Sequence, residues 1–459
     1  TTIYFYITCH NSLVFSMTCV VKKGFKTCNL KLTTDLTILI TDSKLEQFTD
    51  RCVKCGMCAQ VCPTYLKTLD EGESPRGRIS LVQGFLAGQL AITPQFKAHL
   101  DNCLKCRACE DICPSAVPFG AIIDGADSLI EANYNDRLSS RILKKTGLAA
   151  IKSPTLLSVL FSLFRWYQRT GFQWLMSHSL LANKSRLAVL NKTLPSIPAK
   201  TNWQSYYRPD NTHQGDVALF TGCIARTLDQ ETLQATINVL TRLGYGVHVP
   251  ADQVCCGALH QHNGAQAQAS DLIFRNIKTF SQLKIDALIT TASGCGVSLA
   301  ESSQTPGLTS QTNSHTNTFF GKVTDINTFL SRITWPRNVA LKPLKKTVAV
   351  HDPCSLRRVL HQHDKPYEIL RRIPDINLTA LPGNEQCCGA AGSYVLTHPQ
   401  MANSLRDEKL KNIAEHPIDI LVTSNIGCAL HFSAGLKENN PDIKVLHPVV
   451  LIDRQLQSL

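Results

Sequence analysis

The sequence lacks a clear membrane-spanning segment and a nucleotide-binding loop. Its most apolar interior stretch, 155–176, is interrupted by Arg165 and Arg169, whereas a spanning helix needs about 20 consecutive apolar residues. No G-x-G-x-x-G follows a predicted strand, so we expect no dinucleotide site on this chain. It also lacks a Ser/His/Asp motif, a zinc-protease helix and any recognisable nucleic-acid module. The chain is therefore expected neither to span a membrane nor to bind nucleic acid.

The first 45 residues show no interpretable pattern. Residues 1–21 are apolar enough to resemble a signal or an anchor. However, they contain Cys9, His10 and Asn11, and they lack the basic n-region of a signal peptide. The chain begins with Thr1, and Met17 is an alternative start. We expect residues 1–45 to be a poorly defined extension that includes translated upstream sequence.

Two cysteine runs with C-x2-C-x2-C-x3-C-P spacing dominate the next part of the chain. They read Cys52-Val-Lys-Cys55-Gly-Met-Cys58-Ala-Gln-Val-Cys62-Pro63 and Cys103-Leu-Lys-Cys106-Arg-Ala-Cys109-Glu-Asp-Ile-Cys113-Pro114. Bacterial ferredoxins hold [4Fe–4S] clusters with this run. A structural zinc site is the alternative, but it usually shows two C-x2-C pairs separated by a longer loop. The spacing therefore favours two clusters and an electron-transfer protein.

The same spacing predicts which thiolates share a cluster. The fourth cysteine of each run ligates the other cluster. Cluster one should take Cys52, Cys55, Cys58 and Cys113, and cluster two should take Cys103, Cys106, Cys109 and Cys62. Cluster assembly needs reduced thiols, so the 19 cysteines of the chain indicate a cytosolic protein rather than a disulfide-rich secreted one.

At 459 residues the chain is too long for a ferredoxin alone. We expect an α/β protein with an N-terminal α+β ferredoxin-like two-cluster domain over 46–125 and a helical basic linker over 126–210. Two duplicated α/β domains should follow over 211–338 and 339–459. Residues 141–210 contain eleven Lys/Arg and one acid. Their apolar helical part suits either an anionic membrane surface or packing against protein.

A short charged loop lies between the two cysteine runs. It reads Glu73-Ser-Pro-Arg76-Gly-Arg78 and precedes a helical pattern over 79–91. Two interpretations of Arg76 and Arg78 stay open. They belong to a solvated loop, or they contact an anionic cluster and tune it or dock a partner.

From residue 215 the chain alternates strands and helices and then repeats itself. Strands are predicted over 216–222, 246–250, 287–291, 347–351 and 418–423. Four cysteines recur about 131 to 133 residues apart. They pair Cys223 with Cys354, Cys255 with Cys387, Cys256 with Cys388, and Cys295 with Cys428. This duplication predicts two similar domains with cysteines at the carboxyl ends of strands, where open α/β sheets keep their sites.

Each repeat can gather four thiolates at one sheet end. The Gly after each Cys-Cys pair permits a sharp turn, so we predict metal ligation by all eight cysteines, through iron–sulfur centres or another metal. The alternative is a set of small buried apolar side chains.

These Cys…Cys-Cys-Gly…Cys repeats are similar to the cysteine-rich domains of the heterodisulfide reductase, glycerol-3-phosphate dehydrogenase and lactate-utilisation families. In the first of these families, a further cysteine three residues after the last one helps to bind a non-cubane cluster. Ser298 and His431 occupy those positions here. Serine is a poor iron ligand. His431 is either a ligand or a hydrogen-bonded buried residue.

A narrower resemblance rests on stretches that run along the chain from about residue 46 to its end. They are Cys62-Pro-Thr-Tyr65, Glu73-Ser-Pro-Arg-Gly-Arg78-Ile, Thr291-Ala-Ser-Gly-Cys295-Gly, Cys387-Cys388-Gly-Ala-Ala-Gly-Ser-Tyr394-Val-Leu-Thr-His398-Pro and Ser424-Asn-Ile-Gly-Cys428. The sequence thus resembles the iron–sulfur subunit of bacterial glycolate oxidase (glycolate dehydrogenase).

The resemblance implies a complex in which a separate flavoprotein, carrying FAD or FMN, oxidises a 2-hydroxy acid. A further FAD-binding subunit is also implied. This chain would carry the electrons onward to the quinone pool, from the cytoplasm or from the inner face of the cytoplasmic membrane. The alternatives are the corresponding subunit of a D-lactate or glycerol-3-phosphate dehydrogenase, and a heterodisulfide-reductase-like reductase.

Overall fold

The computed structural model describes residues 2–9, 13–22, 25–31, 43–170, 196–302 and 319–456. At the N-terminus, three antiparallel strands form a sheet in the order β1-β2-β3. Their bounds are Thr2–Cys9 (β1), Leu13–Lys22 (β2) and Phe25–Lys31 (β3).

Residues 43–170 are helical. This region contains the 3-10 turns Met57–Val61 and Glu71–Glu73. Its helices are α1 (43–50), α2 (Pro63–Thr68), α3 (Pro75–Leu86), α4 (Pro94–Asp101), α5 (Ala108–Asp111), α6 (Phe119–Asn133), α7 (Leu138–Lys152) and α8 (Pro154–Arg169). The strands of the predicted α+β ferredoxin-like domain are not found between residues 43 and 170.

Three of these helices begin with the same local signal. Ser74, Thr93 and Ser153 each accept a hydrogen bond from a backbone N–H in the first turn, and a proline follows each of them. Proline suits the first helical position because its φ is already helical and its missing N–H would be unpaired there. The Ser-Pro and Thr-Pro pairs therefore set the starts of α3, α4 and α8.

The first cysteine-rich repeat contains a five-stranded sheet in the order β4-β6-β5-β7-β8. Only β4 is antiparallel to its neighbour in this sheet. The strands are β4 (Tyr206–Tyr207), β5 (Gly215–Phe220), β6 (Tyr245–His248), β7 (Ala287–Thr290) and β8 (Val323–Asp325). The helices are α9 (Ala225–Leu228), α10 (Gln230–Arg242), α11 (Ala258–Gln261), α12 (Gln266–Phe280), α13 (Ser293–Glu301) and α14 (Ile326–Arg332).

The second repeat contains a four-stranded parallel sheet in the order β10-β9-β11-β12. The strands are β9 (Thr347–His351), β10 (Asn377–Ala380), β11 (Ile420–Thr423) and β12 (Lys444–Leu446). The helical segments are the π-helical turn Ser355–Val359, α15 (Lys365–Leu370), α16 (Tyr394–Thr397), α17 (Pro399–Glu415), α18 (Ile426–Asn439) and α19 (Pro448–Gln455).

The strand order reveals the duplication directly. In each repeat the second parallel strand lies outside the first, and the third and fourth follow on the other side. The predicted strands are all present, with ends that differ by a few residues. The two predicted α/β domains are thus confirmed as similar units.

One hydrophobic core joins the repeats. It includes Leu219 and Val247 of the first sheet and Val348 and Val422 of the second. The C-terminal helix α19 packs against both α10 and α15. The second repeat is therefore bound to the first through a shared core.

Two of the predicted domain boundaries divide structural units, namely a helix and the sheet of the first repeat. Helix α6 crosses the boundary at 125/126, and β4 joins the first sheet before residue 211. Within the described residues, no single helix is long and apolar enough to cross a membrane. Helices α7 and α8 meet these criteria of length and hydropathy only when they are taken together, and the chain bends by 106° between them. Residues 171–176 of the predicted apolar face lie outside the described residues.

Candidate functional site

The two ferredoxin-type runs fold into matching loops. Lys54 and Gly56 have positive φ in the first run, and Lys105 and Arg107 have positive φ at the equivalent positions of the second. In each loop, the residues on either side of the second cysteine adopt the left-handed backbone conformation, which turns the chain tightly. At Gly56, a Cβ would lie 2.4 Å from Arg76 Nη1, so a larger residue there would displace the end of the arginine side chain that lies against this loop.

The loops surround two cavities whose thiols match the predicted sets. Cys52, Cys55, Cys58 and Cys113 line the first cavity, and Cys62, Cys103, Cys106 and Cys109 line the second, with Cys109 on the wall of both. The structure therefore brings the fourth cysteine of each run to the opposite cavity. Four thiols around a cavity rather than around one point suit a multi-iron cluster.

The chemistry of the thiols also fits a bound cluster. Burial raises the pKa of Cys58 and of Cys103, so these thiols would stay protonated on their own at neutral pH. Coordination to a metal supplies the positive charge that makes a buried thiolate stable. The sixteen cysteines from Cys52 to Cys428 are all free thiols.

The two cavities differ in exposure. The first opens to solvent beside Val53 and Met57, which are 69% and 46% exposed, and its ligand Cys55 is also exposed. The wall of the second cavity packs against the second repeat through Leu104 and Cys106. There Cys106 packs with Cys354 and Cys387 in a small core. One predicted cluster therefore faces a partner or solvent, while the other faces the interior.

Arg78 contacts the second cavity and is almost completely buried. It donates to Thr64 Oγ1 at 3.0 Å and approaches Cys62 Sγ at 3.9 Å. It also forms an ion pair with Glu73 at 2.6 Å. Burial opposes the charge on Arg78, but Cys103, Cys62 and Glu73 together outweigh it and raise the pKa of the guanidinium.

The two interpretations of the charged loop are thereby resolved for Arg78. It is not solvated, and it places a positive charge beside predicted ligands of cluster two. Arg76 is 35% exposed in its side chain, pairs with Glu71, and donates to the Lys54 carbonyl at 3.3 Å. It lies against the loop of cluster one.

A hydrogen-bond chain links this loop to the second repeat. Asn102 donates to Glu73 Oε2 at 2.7 Å and accepts from Tyr394 Oη at 2.6 Å. The ring of Tyr394 stacks on His398. Two sequence stretches about 300 residues apart, which carried the narrower resemblance, thus meet through Asn102. No motif pointed to Asn102, because its role depends on that tertiary contact.

Ion pairs hold the two-cluster region against both repeats. Arg107 Nη1 lies 2.5 Å from Glu301 of the first repeat, and Lys105 donates to the His262 carbonyl at 2.8 Å. On the other side, Arg358 of the second repeat pairs with Asp111. The region is therefore seated on both repeats at the ends of their sheets.

The cysteines of the repeats occupy equivalent places. Cys223 and Cys354 lie three residues after β5 and β9, and Cys295 and Cys428 lie five residues after β7 and β11. The Cys-Cys pairs follow β6 and β10, and each precedes a glycine with φ near 88°, Gly257 or Gly389. The predicted position at the carboxyl ends of the strands is confirmed.

The four thiols of the first repeat form a connected group. Cys223 Sγ lies 3.5 Å from Cys255 Sγ. Hydrogen bonds from Cys255 and Cys295 lower the pKa of Cys256. The first repeat thus brings four neighbouring thiols together, which suits a metal or cluster site.

In the second repeat a histidine joins the thiols. Cys388 Sγ lies 3.0 Å from Cys428 Sγ, and a ring nitrogen of His351 lies within 4.8 Å of both. All three residues are buried. No predicted site included His351. The available signal was the spacing His351-Asp-Pro-Cys354, but the position of the histidine beside Cys428 depends on how β9 pairs with β11.

The two residues in place of a further cysteine are not placed as ligands. Ser298 donates to the Cys256 carbonyl at 2.9 Å. His431 Nε2 lies 3.0 Å from the Ala402 carbonyl. Both satisfy main-chain groups, and among the described residues His431 belongs to no group of three closely spaced metal-ligating side chains, so the structure favours the hydrogen-bonded interpretation of His431.

Comparison with known proteins agrees with this architecture. Residues 48–117 match the family described as 4Fe-4S dicluster domain, and residues 217–300 and 348–433 both match the family described as Cysteine-rich domain.

Relatives matched over most of their length identify the family more specifically. The chain is 30% identical to the probable glycolate oxidase iron-sulfur subunit of Bacillus subtilis over 89% of this chain and 93% of that protein. It is also 30% identical to the glycolate oxidase iron-sulfur subunit of Escherichia coli over 89% of this chain and 94% of that protein. Lactate utilization protein A of Bacillus velezensis is 25% identical over 50% of this chain and 96% of that protein. The predicted resemblance is confirmed: the chain belongs to the family of glycolate oxidase iron–sulfur subunits.

Proposed function

We propose that this chain carries electrons within a glycolate-oxidising complex, from a flavoprotein partner towards the quinone pool. The observation that carries the proposal is the pair of adjacent cavities, one lined by five and the other by four cysteines of the two runs, with Cys109 shared between them. [4Fe–4S] clusters held there would supply one-electron transfer. The relatives named for glycolate oxidase support glycolate as the substrate of the partner.

We assign Cys52, Cys55, Cys58 and Cys113 to one cluster and Cys103, Cys106, Cys109 and Cys62 to the other. The protein residues position and bias these sites. Arg78 holds a buried positive charge beside Cys62, which favours the more negative, reduced state of the neighbouring site. The exposed loop around Cys55 suits exchange of electrons with a partner, because electron transfer needs close approach.

The eight cysteines of the repeats are proposed as further metal ligands. In the first repeat, the connected thiols of Cys223, Cys255, Cys256 and Cys295 suit an iron–sulfur centre. Flavin chemistry, carried by FAD or FMN, would take place on the partner flavoprotein and on a further FAD-binding subunit. The complex would work in the cytoplasm.

The cluster assignment is tested by changing Cys58 to Ala in anaerobically purified protein. We expect loss of about four of the roughly eight irons of the two runs, since each cubane holds four. The second cluster should also become less stable, because Cys62 and Cys113 cross between the loops. Val53→Ala, an exposed change on the same loop, is the control. Zinc in place of iron, with no cubane signal on reduction, would contradict the proposal.

The substrate is tested by copurifying the complex and adding glycolate, D-lactate or glycerol 3-phosphate anaerobically. Glycolate should reduce the clusters of this chain fastest. Faster reduction by D-lactate or glycerol 3-phosphate would assign the complex to the corresponding dehydrogenase. Reduction of the clusters by substrate should require the flavoprotein. If substrate reduces the clusters of this chain without the flavoprotein, substrate oxidation does not take place on that partner.

The helical hairpin of α7 and α8 is proposed as a contact surface for an anionic membrane. Its apolar side chains point outward, and Leu143, Leu163 and Trp166 are 75%, 60% and 65% exposed. Of the side chains of α8, Leu157 is the one that is buried, so most of this helix is accessible for contact. Basic residues beside exposed aromatic ones suit an interfacial helix. Such contact would bring the chain to a quinone in the membrane.

A Leu163→Gln/Trp166→Gln variant tests this surface. The parent should bind vesicles containing anionic lipid at low ionic strength and be released as salt rises, while the variant should bind at least about tenfold more weakly, because two large apolar side chains are removed. Arg165→Glu/Arg169→Glu should weaken binding through charge. If either variant binds vesicles like the parent but no longer copurifies with the flavoprotein, the hairpin is a subunit interface instead.

A further inference from the structure

The two ferredoxin-type loops share a sequence pattern but differ in what covers them. Each loop has an aliphatic residue and then a lysine before its second cysteine, namely Val53 and Lys54 in the first loop and Leu104 and Lys105 in the second. The two lysines have nearly the same positive φ, 56° and 52°. Because the loops match in backbone and in side-chain type, the surroundings of the second loop indicate what the first loop can bind.

The aliphatic side of the second loop is buried against the second repeat. Leu104 is 5% exposed and packs in one core with Tyr394 and Leu405 of that repeat. Ala108, two residues after the second cysteine of this run, is 4% exposed. Removal of apolar side chains from water is the main driving force of such contacts. The apolar side of this loop is therefore a docking surface within the chain.

The lysine of the second loop is bound by oxygen atoms. Lys105 Nζ donates to the His262 carbonyl of the first repeat at 2.8 Å. It also pairs with two carboxylates of α6, those of Asp124 at 3.5 Å and of Asp127. A carbonyl and two carboxylates thus compensate the charge of this ammonium where the loop meets the first repeat.

The equivalent side chains of the first loop lack such cover. Val53 is 69% exposed, and Met57, at the position of Ala108, is 46% exposed. Lys54 is exposed, and within the described residues no carboxylate forms an ion pair with its ammonium. Cys55, a predicted ligand of cluster one, is exposed on the same loop. The first loop therefore presents an apolar patch and an uncompensated positive charge beside that ligand.

We propose that the first loop docks on the flavoprotein partner in the way that the second loop docks on the repeats. The partner would offer an apolar pocket for Val53 and Met57, bordered by a carboxylate that binds the ammonium of Lys54. Complementary charge of this kind selects a partner and speeds its encounter. The identity of the partner rests on the proposed function, whereas the chemistry of its surface rests on the comparison of the two loops. This docking would place the partner directly against Cys55.

The test uses the full chain, with its clusters assembled anaerobically, and the purified flavoprotein of the same complex. Analytical ultracentrifugation measures their dissociation constant over a range of salt concentrations. Lys54→Glu should weaken association about tenfold or more at low salt, because it places like charges opposite each other. Val53→Asp should weaken it about tenfold, because it places a charge in an apolar contact. Affinity equal to that of the parent in both variants would overturn the proposal.

Salt dependence separates the charge from the apolar contact. The affinity of the parent and of Val53→Asp should fall as salt rises, whereas that of Lys54→Glu should fall less or not at all. Lys284→Glu is the matched charge reversal, since Lys284 is exposed just before β7, at the end of the first sheet away from the cysteines. It should bind the flavoprotein like the parent. Equal weakening in Lys284→Glu and Lys54→Glu would show an effect of net charge alone and overturn the proposal.

Cluster content is measured in the same samples. Iron and the cubane signal after reduction by dithionite, which needs no docking, should match the parent in every variant. Where the reversed charge lowers the iron content, Lys54→Gln decides instead. It should keep the clusters and still weaken association about threefold, and affinity equal to that of the parent would overturn the proposal.

Other occupants of this face give different results. If Lys54→Glu lowers self-association of the chain or its binding to anionic vesicles, but not its binding to the flavoprotein, the docking assignment is wrong. Absence of cubanes from the parent, or their failure to be reduced by glycolate through the flavoprotein, would contradict the proposed electron-transfer role. Normal reduction together with unchanged association in all variants would contradict the docking surface alone, so the two proposals fail separately.

Discussion

The two cysteine-rich repeats share a strand order and four cysteine positions, yet their surroundings differ. Around the cysteines the first repeat has Phe220, Asn276 and Ser298, and the second has His351, Lys409 and His431 at the equivalent positions. Among the described residues, only the second repeat packs its cysteines against a predicted cluster ligand, Cys106. The two repeats therefore share a scaffold but differ in the residues around their thiols.

The strongest test of this difference is to remove one cysteine from each repeat. Cys256→Ser should lower the metal bound by the first repeat, and Cys388→Ser should lower the metal bound by the second, because each variant removes one proposed thiol ligand. Elemental analysis of the two variants and the parent identifies the metal that each one loses. Unchanged metal content in both variants would contradict metal binding by the repeats.

A large difference in stability is expected at Asn276. This buried amide accepts from the Val254 N–H at 2.9 Å and donates to the Cys255 carbonyl at 3.0 Å. Asn276→Leu leaves both main-chain groups unpaired and should lower the free energy of unfolding by about 4 kcal/mol. Denaturant unfolding of the full chain measures the loss.

Lys409 stands at the equivalent position of the second repeat and serves as the matched comparison. It donates to the Gly383 carbonyl, and burial lowers the pKa of its amine. Lys409→Met leaves one acceptor unpaired but removes a buried charge, so we expect a change within about 1 kcal/mol. Equal losses of unfolding free energy in Asn276→Leu and Lys409→Met would show that the Cys-Cys loops of the two repeats are stabilised in the same way.

The glycines after the Cys-Cys pairs should differ in sensitivity. A Cβ at Gly389 would lie 2.5 Å from the Ala402 carbonyl oxygen, whereas at Gly257 the equivalent contact with Ala269 is 3.1 Å. Both residues have positive φ, which alone costs a side chain about 1–2 kcal/mol. Gly389→Ala should therefore destabilise by about 3 kcal/mol and Gly257→Ala by about 1–2 kcal/mol. Denaturant unfolding measures both losses of stability. A larger loss at Gly257 than at Gly389 would contradict the contact distances.

The last comparison concerns the pH dependence of stability that His431 contributes to the second repeat. Burial lowers the pKa of His431 from 6.5 to about 4. A histidine with a lowered folded pKa contributes its full stability above about pH 6.5 and loses it as the pH falls towards 4. Between pH 7 and pH 5, His431→Ser should lose about 1–2 kcal/mol less stability than the parent. Ser298→Ala, in the first repeat, should leave the pH dependence of the parent unchanged, and identical profiles for His431→Ser and the parent would refute the assignment.

The sequence determined most of the redox architecture. The C-x2-C-x2-C-x3-C-P spacing predicted both thiol sets, because covalent spacing limits which cysteines can share a cluster. The recurrence of Cys223, Cys255, Cys256 and Cys295 predicted two α/β repeats with cysteines after their strands. Both patterns are local along the chain, so they can be read without knowledge of the fold.

Only the tertiary structure decided what surrounds those cysteines. It buried Arg78 against Cys62, joined Asn102 to Tyr394, and exposed the apolar face of α8. It also assigned His431 to a carbonyl and placed His351 beside Cys388 and Cys428, because the pairing of β9 with β11 sets which side chains meet. Contacts between residues tens to hundreds of positions apart leave no local pattern, so they depend on how the sheets pack.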